Sequence, residues 1–200
     1  MKISIRATLL FLCTAIATVS TAEQGRIAAG IQVMAGGRYD NLRMCVGSPA
    51  GTKGGPIADI QLSIHYGLTD ETAVGLKLPV MRPILFGLAF DMLQFEPEVT
   101  FQYRTPISDK LDLVLEPALG ASFHYGPDYT TDSDAENPER FFAAGPFFAL
   151  LGGLGRRNAS DQGWFVGLKP FYTPLFSRER ETGTVVGATV EGHWDFVVGP

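Results

Sequence analysis

Residues 93–104, LQFEPEVTFQYR, alternate without a break. Leu93, Phe95, Pro97, Val99, Phe101 and Tyr103 are apolar, and Gln94, Glu96, Glu98, Thr100, Gln102 and Arg104 are polar. Successive strand side chains point to opposite sides, so this pattern predicts one β-strand with two unlike faces. The same period runs through 57–67 (IADIQLSIHYG), 72–80 (TAVGLKLPV), 111–125 (LDLVLEPALGASFHY), 164–176 (WFVGLKPFYTPLF) and 184–196 (TVVGATVEGHWDF). Two more stretches are less regular: 26–36 is apolar on both faces except at Gln32, and 140–155 does not alternate clearly. Together they predict an all-β chain of about eight strands with no amphipathic helix.

The connections alternate in length. Short turns are expected at 67–71, 106–109 and 158–163, and longer segments at 37–56, 82–92 and 126–139, with 178–183 a shorter fourth. Short turns at one end and long loops at the other predict an antiparallel up-and-down barrel. Aromatic residues on the apolar faces are sorted by height. Tyr66, Phe101, Tyr103, Trp164, Trp194 and Phe196 fall near the turns, and Phe123, Tyr125, Tyr172 and Phe176 near the loops, with mainly aliphatic residues between. Two girdles around an aliphatic band are the lipid-facing surface of a transmembrane barrel. A soluble barrel would alternate equally well, but nothing in water would sort its aromatics by height.

On this reading the polar faces turn inward. Lys77, Glu96, Glu98, Arg104, Glu116, Lys169 and Glu191 are expected to form a luminal polar network, with Arg156 near its lower end. An eight-stranded barrel is just wide enough for its side chains to fill it, so these charges predict a self-paired plug. A proton or cation path is the competing use of the same residues.

Composition adds a location. Charged residues make up 18% of the chain, below the quarter usual in soluble domains. Residues 1–22 have Lys2 and Arg6, an apolar run from Ala7 to about Val19, and Ser20-Thr21-Ala22, the layout of a secretory signal peptide. Its removal would leave a barrel domain over 23–200 and, through loss of two basic residues and no acidic one, take the net charge from −5 to −7. That charge argues against a nucleic-acid partner. Cys45 would be the one cysteine left, which excludes an intramolecular disulfide.

The leader-like segment, the alternating strands, the aromatic last strand and the hairpin YGLTDETAVGLKLPV (66–80) resemble Gram-negative outer-membrane β-barrel proteins. The hairpin is similar to one in outer-membrane proteins grouped with meta-pathway phenol degradation. The resemblance implies a bacterial outer-membrane location, contact with outer-membrane lipid and lipopolysaccharide, and folding by the barrel-assembly machinery. For the hairpin group it also implies passage of small apolar compounds.

Candidate chemistry is sparse. Ser122 and His124 share the inward face of one strand, but in the order Ser-x-His, the reverse of the His-x-Ser in lipid A deacylase barrels. A lipid-modifying surface hydrolase is therefore a minor alternative, and no catalytic residues are assigned. His65, His193 and Asp195 point inward near the turn end, from strands that are not sequence neighbours, and are read as hydrogen-bonded lumen residues rather than metal ligands. Asp128, Asp132, Asp134 and Glu136 give the third loop oxygen-ligand character, a possible cation-binding loop without EF-hand spacing. No cofactor is expected. The expected role is structural or surface-interacting, with passage of a small apolar or ionic solute as the alternative. The inward assignment of the glutamates predicts that residues 23–200 fold only in detergent or lipid, with heat-modifiable gel mobility. Stable, soluble folding without amphiphile would overturn it.

Overall fold

The computed structural model describes residues 24–40, 54–88, 92–127, 140–157, 163–178 and 182–199. In chain order the elements are β1 (Ile27–Asp40), β2 (Gly55–Gly67), β3 (Thr72–Pro79), α1 (Met81–Gly87), β4 (Leu93–Phe95), β5 (Glu98–Ser108), β6 (Leu111–Pro127), β7 (Arg140–Arg157), β8 (Gly163–Ser177) and β9 (Gly183–Gly199). β4 and β5 are one strand interrupted at Glu96-Pro97, since Phe95 opposite Phe123 and Glu98 opposite Gly120 continue a single register along β6. Each strand pairs antiparallel with its sequence neighbour, and β9 pairs with β1 through Ile31 opposite Trp194 and Val33 opposite Gly192. The sheet thus closes into a ring of eight strands, which is how a sheet satisfies its own backbone where no water can do so.

Alternation sets the faces. On β5, Glu98, Thr100, Gln102 and Arg104 are buried, whereas Val99 and Phe101 are exposed. The outer surface carries Ile31, Leu62, Leu76, Leu115, Leu119, Leu150 and Val190, with Tyr66, Trp164 and Trp194 toward the turn end and Phe176 toward the other. Tyr103, Phe123, Tyr125 and Phe196 lie on the same outer side, partly covered by neighbours. An apolar exterior around a polar interior inverts the soluble arrangement and suits hydrocarbon as solvent.

The structure departs from the sequence-based expectations in four places. First, 82–92 is not simply a loop, because α1 opens it. Pro83 is tolerated there because the N–H groups of a first helical turn have no partner within the helix. Second, β1 runs to Asp40 and β2 begins at Gly55, so Arg38 and Asp40 are buried on the inner face rather than in a loop. Third, Arg156 is exposed on the outer side. Fourth, β7 fails to alternate because both its faces are apolar: Phe142, Phe148, Leu150 and Leu154 face out, while Phe141, Ala143, Phe147 and Leu151 face in. Five of the inner apolar residues of β7 and β8 (Phe141, Ala143, Phe147, Phe171 and Leu175) join Met34, Ile57 and Val185 in an apolar cluster inside the upper lumen.

The mid-strand prolines leave a trace in the ladders. Pairing of β5 with β6 lapses at Phe101 and Gln102, across from Pro117 and Glu116. Pairing of β7 with β8 lapses at 145–147, around Pro146 and Pro174, and again at 150–151, across from Pro170. A proline has no N–H to give, so each ladder breaks locally while its register holds.

Leu119 is 61% exposed on the outer face in the middle of β6. Leu119→Lys is expected to cost ~2–4 kcal/mol if that face meets the bilayer midplane. Urea unfolding of the refolded protein in lipid vesicles measures this, and a cost near zero would speak for water outside.

Candidate functional site

The lumen is organised by charge. Lys169 Nζ on β8 donates to Glu98 Oε2 on β5 at 2.7 Å and lies 3.1 Å from Glu191 Oε1 on β9. Glu191 in turn faces Lys77 on β3 at 3.8 Å, and Lys77 donates to Glu116 on β6. The result is an alternating chain, Glu98–Lys169–Glu191–Lys77–Glu116, that crosses the barrel and ties five strands together. Each member is at most 2% exposed. Amides fill in around it: Gln61 donates to Glu98 at 3.1 Å and Gln102 to Glu116 at 2.8 Å. A buried charge without a partner is very costly, so adjacency of opposite signs is what permits this interior.

Below the chain, Arg104 donates to Asp195 at 2.9 Å and to Gln102 at 2.7 Å. His193 meets Asp195 Oδ1 through Nε2 at 2.6 Å and Gln32 through Nδ1 at 2.8 Å. His65, from β2, two strands away from β9 round the ring, lies 4.0 Å from the same Asp195 oxygen. The sequence places these residues inward at one end but on strands that do not pair; β1, between β2 and β9, carries Gly30 on its inner face. A Cβ on Gly30 would sit 2.5 Å from both His193 Nε2 and Ser63 Oγ. Likewise, a Cβ on Gly75 of β3 would sit 2.2 Å from His65 Cδ2. Two absent side chains thus make room for two imidazoles. Their ring nitrogens and the Asp195 carboxylate lie within 4.8 Å of one another, close enough to be metal-ligand candidates. Each is already engaged in the hydrogen-bonded and ion-paired set described here. Ser63 is 3.4 Å from His193 Nε2, but Asp195 shares that same nitrogen, so no acid orients the ring from behind as a nucleophile's base requires.

Above the chain, Glu96 accepts from Ser122 at 2.9 Å, from Gln94 at 2.8 Å and from Arg82 at 3.1 Å. His124 Nε2 is 3.0 Å from Ser122 Oγ and 3.6 Å from the Glu96 carboxylate. Here too serine and acid meet one and the same imidazole nitrogen, and the serine hydroxyl is spent on Glu96. Arg82 of α1 also binds Asp59, whose carboxylate accepts from the backbone N–H groups of Met81 and Arg82 at 3.2 and 3.3 Å. Glu96 and Asp59 thus match the Arg82 guanidinium, whose burial without a partner would be costly. Arg38 completes the rim, donating to Gln94 and lying 3.3 Å from Asp40.

All seven luminal residues named from the sequence are buried: five form the charge chain, Arg104 pairs with Asp195 below it, and Glu96 pairs with Arg82 above it. Arg38, Asp40, Asp59 and Arg82 join them, and only Asp59 stood on a strand face that the sequence made readable. Asp128, Asp132, Asp134 and Glu136, and also Cys45 and the leader-like segment, lie outside the described residues.

No protein-family model and no curated protein matches the chain. Among solved structures it is similar to neisserial surface protein A, at 12% identity over 82% of this chain and 97% of that one, with a TM-score of 0.48. It is also similar to the N-terminal β-barrel domain of Pseudomonas aeruginosa OprF, at 14% identity over 86% and 100%, TM-score 0.42. A third likeness is to Ail, the attachment invasion locus protein of Yersinia pestis, at 10% identity over 86% and 99%, TM-score 0.42.

The charge chain makes a prediction of its own. Lys169→Met leaves Glu98 and Glu191 facing each other without their shared cation, and should destabilise the fold by ~3–5 kcal/mol. The midpoint of urea unfolding in vesicles measures this, and an unchanged midpoint would show that the chain is not what holds the lumen.

Proposed function

We propose that this protein is a bacterial outer-membrane barrel that conducts nothing through its axis and works as a structural or surface-interacting element. The observation that carries the reading is the alternating chain from Glu98 to Glu116, which spans the lumen at mid-height with every charge buried. Hydrated ions crossing the barrel would have to separate these buried pairs, and breaking a buried pair is strongly unfavourable. The barrel meets outer-membrane lipid and lipopolysaccharide through its apolar wall, and its insertion falls to the barrel-assembly machinery. Its interaction surface is the end from which the long connections between β1 and β2 and between β6 and β7 depart. A hydrolase reading lacks support, since neither Ser63 nor Ser122 stands in a serine–imidazole–acid relay.

The refolded protein in a planar lipid bilayer is expected to pass no steady current. The triple substitution Glu96→Gln, Glu98→Gln, Glu116→Gln is expected to add no ion-selective conductance. A steady wild-type current that falls or changes selectivity in the triple variant would replace this reading with ion passage.

A further inference from the structure

Among the described residues, the strand ladder of the ring lapses at its upper end between β2 and β4. β3 stops at Pro79, opposite Gln61, while β2 continues upward to Gly55. Beyond the single bond from Val80 N to Ile60 O, the described residues give the stretch 55–60 no strand partner on that side. The facing edge is β4 with Pro97, which pairs with β6 and, among the described residues, with nothing toward β2. In place of the missing strand stands α1. It is fixed to the rim by Arg82 through Asp59 and Glu96, and by Phe86, whose ring meets the outward Tyr125 edge-on at 6.0 Å. Its Ile84 and the following Leu88 are exposed on the same outer side, at 59% and 70%.

Under α1 lies a cavity of about 250 Å³. Its lining comes from both sides of the wall: Pro56 and Ala58 face outward, whereas Ile57 and His124 face the lumen. Met81, Leu85, Met92 and Leu93 supply most of the rest. Ile57 belongs to the inner apolar cluster, and Met92 packs against it, so the cavity is backed on the lumen side by Met34, Phe147 and Phe171. There the path ends. A void of about 10 Å³, room for roughly one water, separates these residues from Glu98 and Lys169 of the charge chain.

We propose that this cavity is a lateral binding site for a small neutral hydrocarbon-like molecule, taken from the outer leaflet through the gap between β2 and β4. Three observations fix that chemistry. The volume falls just below the usual ~300–1,000 Å³ of small-molecule sites, which limits the ligand to a body of about ten carbons. The lining is largely aliphatic and carries two methionines, whose flexible thioethers adapt to ligands of differing shape. Its two cations are already matched, Arg38 by Asp40 and Arg82 by Asp59 and Glu96, so an anionic ligand would find acids beside every base. The site sits above the charge chain and does not depend on the closed axis: conduction through the lumen would overturn the earlier reading and leave this one standing.

The test uses the mature protein in lipid nanodiscs, labelled with 13C at the methionine methyls, with naphthalene as probe and Met→Leu variants for assignment. Naphthalene should shift the Met81 and Met92 signals to saturation, and 2-naphthoate should bind at least tenfold more weakly. Ala58→Trp, which fills the outer mouth, should weaken naphthalene binding at least tenfold while heat-modifiable mobility persists. A linear, non-saturating response that is the same in Ala58→Trp would mean partition into the bilayer and overturn the proposal. So would tight binding of the naphthoate, which contradicts selection for a neutral ligand. Methyl contacts from Met81 and Met92 to lipid chains with no response to naphthalene would assign the cavity to lipid, and equally overturn it.

Discussion

Lys169 and Lys77 each stand between two glutamates, and the rest of the interior follows from that arrangement. Opposite charges repay their desolvation only when they touch, and in a barrel this narrow they can touch only by reaching across. The chain from Glu98 to Glu116 therefore acts as a set of cross-struts between β5, β8, β9, β3 and β6. Closure of the backbone ladder satisfies the wall, and the charge chain satisfies the inside. Neither would stand alone, because an open sheet edge in lipid and an unpaired lysine in the lumen are both costly.

The interior is not uniform along its axis. Below the chain, Arg104, Asp195 and two imidazoles, seated against Gly30 and Gly75, share the lumen with a small apolar cluster of Val114, Leu151 and Phe165. Above it, one side is polar, around Glu96, and the other is apolar, from Met34 through Phe147 and Phe171 to Val185. Aromatic rings on that side stack, as Phe147 and Phe171 do at 5.7 Å, and fill the lumen where no charges reach. The wall gap opens beside this mixed region. Lysine and phenylalanine even share a boundary, with Lys169 Nζ 5.6 Å from the Phe147 ring centre.

The legibility of the sequence follows this division. β5 and β9 read clearly because one face meets apolar surroundings and the other meets charges, so a two-residue period carries the whole assignment. β7 could not be read that way: Phe141 and Phe147 face an apolar lumen, Phe142 and Phe148 an apolar exterior, and the contrast on which the period depends is gone. The helix was hidden for a different reason. Met81–Gly87 has no polar face and no capping side chain of its own, and its first N–H groups bind Asp59, supplied by β2. Arg82 thus looked like a loop charge and is in fact a buried rim residue. His65, His193 and Asp195 were legible as inward residues at one end, but not how closely they approach, because that depends on Gly30 and Gly75 on other strands. Beside the irregular 140–155 stretch the wall is continuous, since β7 is paired on both sides along most of its length. The opening lies where Pro79 ends β3 and Pro97 interrupts its neighbour.

That position ties the gap to the charge network. α1 covers a place where two strands have lost their ladder, and what holds it is mainly the pairing of Arg82 with Asp59 and Glu96. Glu96 is shared, for it also receives Ser122 and Gln94, and through Gln94 it reaches Arg38. A displacement of α1 would strip Glu96 and Asp59 of their cation while exposing Ile57 and Met92 to whatever stands outside. The helix is therefore poised between a polar anchor that resists opening and an apolar underside for which lipid is an acceptable solvent. A polar anchor alone would make a sealed wall, and an apolar underside alone a helix adrift in the interface. The two together make a covered entrance to the upper lumen, closed beneath by Lys169 and its glutamates.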